Sequence, residues 1–299
     1  MGPGRERSAK MPGTDVFFLI HNFHTVPEKL LSYASDYALF DATDDDGGQT
    51  RRALEQAGIA WQPVHNTGHN ITTYFQWFAD NYEKLPEVTA LLKGNILGRH
   101  CSEEYFARVC KNSWFTYLYE DKAARQQFAK NGLDTAAGTA FYATESQFVE
   151  VNNSWYASSE NHPHRYFDNY DDLLRFIYKD PVVPRYCLFS PGACYILRRE
   201  QIQLHGPAFY RNLNKIMDYG IAPHFSSEAH QIERMLPVIF EMRYEVNPWM
   251  EDEGLFDQEL EKRRQIMETK EAARAAAAEN LSFKRLRRLL RPLKKFLKR

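Results

Sequence analysis

The feature that most constrains this chain is an alternation in its first hundred residues. Short apolar runs take turns with stretches of helical character. VFFLI at 16–20 is suited to a buried strand, 27–33 has helical character, and 37–40 is a second short strand. The acidic, Gly-ended segment DATDDDGG at 41–48 reads as a loop at a strand end. A short helix at 51–57 ends at Gly58, and 59–64 reads as a third strand. An aromatic helix at 70–82 and a strand at 88–92 follow. Such alternation predicts an α/β fold with a mostly parallel sheet flanked by helices. Ligands of these sheets bind beyond the carboxyl ends of the strands, which singles out loops 41–48, 65–70 and 93–100.

The second half is less regular. Residues 141–178 are crowded with aromatics that suit core packing or sugar stacking, with Trp155 and Tyr156 at an Asn/Ser-rich turn. The stretch 187–197 reads as one strand broken by Ser190-Pro191-Gly192, and 209–219 and 227–240 read as helices. The cysteines at 101, 110, 187 and 194 have no CxxC spacing, so neither a redox motif nor a zinc ribbon is expected, and a reduced cytoplasmic compartment is the default. The histidine pairs His21/His24, His65/His69 and His162/His164 lack a complete ligand set and read as structural. Residues 1–14 have no apolar secretory core and are expected to be disordered.

Charge separates the chain into two parts. Residues 280–299 hold nine Lys or Arg and no Asp or Glu, so the remainder carries 29 − 39 = −10. An acidic body argues against nucleic acid as the ligand. In the tail Phe283, Leu286, Leu289, Leu290, Leu293, Phe296 and Leu297 recur at three- and four-residue steps, and basic residues fill the opposite face. That pattern suits a helix lying on an anionic membrane, with a kink or a split expected at Pro292. The polar segment 251–279 reads as a weakly packing helical spacer between a body at 15–250 and this tail.

Three stretches resemble a family. They are Asn66-Thr67-Gly68-His69-Asn70 leading into TYFQWFADNYEKLPEV and LLKGN, then GACYILRREQI at 192–202, then SEAHQIERMLPVIF at 227–240. Their order, over about residues 15–241, resembles an uncharacterised glycosyltransferase-like family of fungi and bacteria. It is more distantly similar to rhamnan-synthesis glycosyltransferases. The resemblance implies a GT-A-like, Rossmann-related body and sugar transfer from a nucleotide-sugar donor. A D-x-D metal element would be expected after a later strand, where this chain has Lys93-Gly94-Asn95 instead.

Candidate residues follow from residue type and position. Asn66, Gly68, His69 and Asn70 sit at a strand-to-helix turn whose amides could take a donor diphosphate; Gly68 and Asn70 could equally serve the turn and the helix cap. Lys93 and Asn95 end the strand at 88–92, where a lysine could offset leaving-group charge without a cation. Asp41 is the aspartate favoured for the nucleotide, while Asp44 and Asp46 are the candidates should Mg²⁺ or Mn²⁺ bind. Glu228 is the expected base toward an acceptor hydroxyl, with His230 and Glu233 on the same helix as supporting candidates. The expectation is a glycosyltransferase, peripheral at the cytoplasmic face of the membrane, acting on a glycan or lipid-linked acceptor. A carbohydrate-binding scaffold and a metal-dependent hydrolase are the rivals.

Overall fold

The computed structural model describes residues 15–44, 46–67, 69–120, 141–142, 148–152, 164–219 and 226–296, with the backbone alone at 141–142 and 278–296. Residues 1–14, Asp45, Gly68, Trp155, Tyr156, His162 and Leu297 lie outside the described residues. Nine strands occur among them: β1 (Val16–Asn22), β2 (Asp36–Asp41), β3 (Gln62–Pro63), β4 (Val88–Lys93), β5 (Thr116–Tyr117), β6 (Phe141–Tyr142), β7 (Phe148–Val151), β8 (Tyr186–Phe189) and β9 (Tyr195–Arg198). The helices are α1 (Glu28–Leu31), α2 (Gln49–Gln56), α3 (Ile71–Asp80), α4 (Glu103–Val109), α5 (Tyr170–Ile177), α6 (Arg199–Ile202), α7 (Pro207–Met217), α8 (Ser227–Glu241) and α9 (Glu253–Phe296).

The main sheet has the order β3-β2-β1-β4-β9-β5. β1 pairs in parallel with both β2 and β4, and β2 in parallel with β3, whereas β9 lies antiparallel between β4 and β5. The α/β fold with a mostly parallel sheet is therefore present. Strand order turns outward in both directions from β1, so a switch point falls between β1 and β4. A second, antiparallel sheet of order β6-β7-β8 stands apart. The stretch expected as one broken strand is two strands in different sheets. Gly192 (φ 88°) and Ala193 (φ 54°) turn the chain between them.

Period-two alternation assigns the strand side chains to two cores. Leu19, Leu91, Tyr195 and Leu197 pack with Tyr74, Phe75 and Phe78 of α3, Phe209 and Tyr210 of α7, and Ile232 and Leu236 of α8. Phe18, Ile20, Leu39, Leu92 and Ile196 pack on the other face with Leu54 of α2 and Phe106 of α4. Helix α3 forms where apolar residues recur at three- and four-residue steps. Burying each of Phe75 and Phe78 contributes about 1.5–3 kcal/mol. All four cysteines are buried and unpaired.

Two expectations about the chain's end are corrected. The 251–279 stretch is not a bare spacer, because Phe256, Leu260 and Met267 of α9 are buried against the body. Three apolar residues at four- and seven-residue steps suffice for a narrow docking stripe. Ion pairs from Arg263 to Asp172 and from Lys270 and Arg274 to Asp168 reinforce it. Asp252 opens α9 by accepting from the amides of Gly254 and Leu255. Pro292 does not split the tail: α9 is one helical element to Phe296. Among the described residues no helix is long and apolar enough to cross a membrane.

Candidate functional site

The carboxyl ends of β1, β2 and β4 meet at one edge, and the sheet pleat sorts their last residues. His21 pairs in register with Lys93 and faces α3, while Asn22 pairs with Asp41 on the other face. These two pairs behave differently.

The Asn22–Asp41 side is saturated. Asp41 is fully buried; its Oδ1 accepts from Asn22 Nδ2 (3.0 Å) and Thr43 Oγ1 (3.0 Å), and its Oδ2 accepts from Arg51 Nε (3.0 Å). Gly94 is required beside it, since a Cβ there would lie 2.1 Å from Asn22 Oδ1. Asp46 is likewise engaged: Oδ1 accepts from the amides of Gly48 and Gln49 and Oδ2 from that of Thr50, which opens α2. Hydrogen bonds from Thr50 hold its carboxyl at about 2. Asp44 is exposed. Asp41 and Asp46 thus spend their oxygens on protein donors, and Asp44 faces solvent. Among the described residues no three His, Cys, Asp or Glu side chains gather as metal ligands. Asp41, fully buried on protein donors, is not at the surface where a nucleotide was expected to meet it.

The His21–Lys93 side is the opposite. Lys93 is half-buried, and none of the ion pairs among the described residues involves it. Three histidines ring it. His21 Nδ1 shares a 3.0 Å hydrogen bond with Thr73 Oγ1, and burial plus the Lys93 charge bring its pKa down to about 4. Burial, His21 and Lys93 lower His69 to about 3, and both its ring nitrogens are buried without a hydrogen-bond partner. Burial and Lys93 likewise bring His100 to about 3, and its Nε2 is buried and unpartnered. All three imidazoles are therefore neutral at pH 7, each carrying one N–H donor. Leaving such groups buried and unpaired costs roughly 1–3 kcal/mol apiece.

Gly192 closes this ring from the β9 side. Asn70 does not cap α3 with its side chain, which donates instead to Gly192 O (2.9 Å) and Tyr74 Oη (2.8 Å). Gly192 N donates to Glu233 Oε1 (2.7 Å), and a Cβ on Gly192 would lie 2.7 Å from the His100 ring. Burial pushes the Cys194 thiol up to about 12, and Lys93 and Glu233 act on it with opposite sign, so both flank this turn. Asn95 follows Lys93, half-buried and without a hydrogen bond among the described residues; Asn66 is half-buried two residues before Gly68.

The three α8 candidates separate. Glu228 is fully buried and lies elsewhere: Oε1 accepts from the amides of Arg165 (2.9 Å) and Tyr166 (2.8 Å), and Oε2 from Tyr219 Oη (2.6 Å). It is fully buried and fixes a backbone segment, which sets it apart from the exposed position expected of a base. His230 is half-buried, and its carbonyl accepts from Arg234. Glu233, 19% exposed, borders the sheet edge; its Oε2 lies 3.6 Å from Arg234 Nη1 and its Oε1 accepts from Gly192 N. Sequence reasoning set His21 aside as structural and missed His100, although one ends the first apolar run and the other ends loop 93–100.

Compared with protein-family models, with curated proteins and with solved structures, the chain matches none of them.

Proposed function

We propose that the chain is a glycosyltransferase whose nucleotide-sugar donor sits at the carboxyl edge of the sheet, with its diphosphate over Lys93. The observation that carries this reading is a lysine without an ion-pair partner among the described residues at the β1/β4 switch point, beside three neutral histidines of which His69 and His100 have buried, unpartnered ring nitrogens. Lys93 offsets diphosphate charge, and His69 and His100 donate to its oxygens. The α3 N-terminus, next to His69 and without a side-chain cap from Asn70, adds its amides and dipole. Phe23, 39% exposed directly after β1, offers a ring to the base. The strand order and this switch point support the GT-A-like reading of the body.

Glu233 takes the role first expected of Glu228. Its carboxylate removes the proton of a hydroxyl on a glycan or lipid-linked acceptor. The acceptor oxygen bonds the anomeric carbon, the bond from that carbon to the diphosphate breaks, and the nucleoside diphosphate leaves with the electron pair. No step passes through a metal ion.

Incubating the full chain with UDP-, GDP- and dTDP-sugars in EDTA tests the reading. At least one donor should bind and hydrolyse slowly. Glu233→Gln retains an oxygen for Gly192 N, so it should keep donor affinity while turnover falls by about a hundredfold or more. Silence across the donors from folded protein would overturn the proposal.

A further inference from the structure

The end of α9 has a geometry that the sheet edge does not explain. The helix is clamped to the body at its base by Phe256, Leu260 and Met267 and by the Arg263, Lys270 and Arg274 ion pairs. Residues 271–277 are all exposed, and the helix then runs on to Phe296. From Arg274 to Phe296 that is about 33 Å of helix at 1.5 Å per residue.

At 3.6 residues per turn, Phe283, Leu286, Leu289, Leu290, Leu293 and Phe296 fall in an arc of roughly 140°, and every basic residue from 284 to 295 falls outside it. The centre of that arc lies about a quarter turn from the stripe of Phe256, Leu260 and Met267 that docks on the body. The two stripes therefore occupy different faces of one continuous helix.

We infer that the last three turns of α9 form a strut that lies in the headgroup region of an anionic bilayer and holds the body alongside it. Charge selects this occupant: nine basic residues without an acidic one follow a body of net −10, so an anionic surface attracts the strut and repels the remainder. The apolar arc adds burial that an acidic protein surface would not reward. This inference is independent of the sugar-transfer reading.

The test is co-sedimentation of the full chain with phosphatidylglycerol-containing vesicles and with pure phosphatidylcholine vesicles. Binding is expected to the first only. It should weaken by an order of magnitude or more in Leu289→Asp/Leu293→Asp, whose body should unfold at an unchanged temperature. A charge-preserving control, Lys294→Arg, should bind as the parent does. A parent chain that stays in the supernatant overturns the inference. So does a double variant that binds undiminished, or a chain whose tail is consumed in self-association that the same double variant abolishes without changing vesicle binding.

Discussion

Two halves of one sheet edge, a few ångströms of backbone apart, use polar residues in opposite ways. Around Asp41 every carboxylate oxygen has a protein donor, and a glycine is demanded so that Asn22 can approach. Around Lys93 a cation and three neutral imidazoles are gathered, and buried ring nitrogens are left unpaired. The difference teaches that a buried acidic residue at a strand end is not by itself a site. A carboxylate with protein donors on both oxygens holds the loops in place, whereas the unused capacity around Lys93 is where we propose the donor sits. Glu228 belongs with Asp41, and Glu233 stands nearer to Lys93.

The sharpest way to break this contrast is Glu228→Ala. It strips the acceptor from two amides and a phenol, so urea unfolding should show a loss of about 3 kcal/mol or more. A stable but inactive Glu228→Ala would return that residue to the reaction. Asp41→Ala should come next, at about 2–3 kcal/mol, because Arg51, Asn22 and Thr43 lose their common partner. On the other half, His69→Phe should change stability at pH 7 by less than about 1 kcal/mol, and in the stabilising direction, since it deletes two unpaired nitrogens.

The same substitution has a pH signature. His21, His69 and His100 have folded pKa values lowered from 6.5 to about 4, 3 and 3, so the unfolded chain binds protons that the folded chain refuses. Their contribution is complete above pH 6.5 and is lost as pH falls toward 4 and then 3. Stability measured from pH 7 to 4 should decline less steeply in His69→Phe than in the parent. Equal slopes would mean that His69 is not buried as a neutral ring.

The core of the parallel half is legible in the sequence because β1 and β4 are contiguous apolar runs with helices beside them in the chain, whereas β3 is only the exposed Gln62–Pro63. β9 is not legible, because its partners β4 and β5 lie far away in sequence, and the Ser190-Pro191-Gly192 break reads as an interruption when it is a passage between sheets. His69, Asn70 and Lys93 are legible as strand-end and helix-start residues. The choice between Glu228 and Glu233 is not, since it depends on Arg165, Tyr166 and Gly192, up to sixty-three residues away. Spacing along α8 carries no record of which carboxylate those backbone amides claim.

The most direct measurement is calorimetric titration of UDP, GDP and dTDP into the parent chain and Lys93→Met, both in EDTA. The account predicts that at least one diphosphate binds the parent and that Lys93→Met weakens it at least tenfold, about 1.4 kcal/mol, with unfolding unchanged within about 0.5 kcal/mol. Binding that survives Lys93→Met at full strength, or no binding to folded parent, would contradict it.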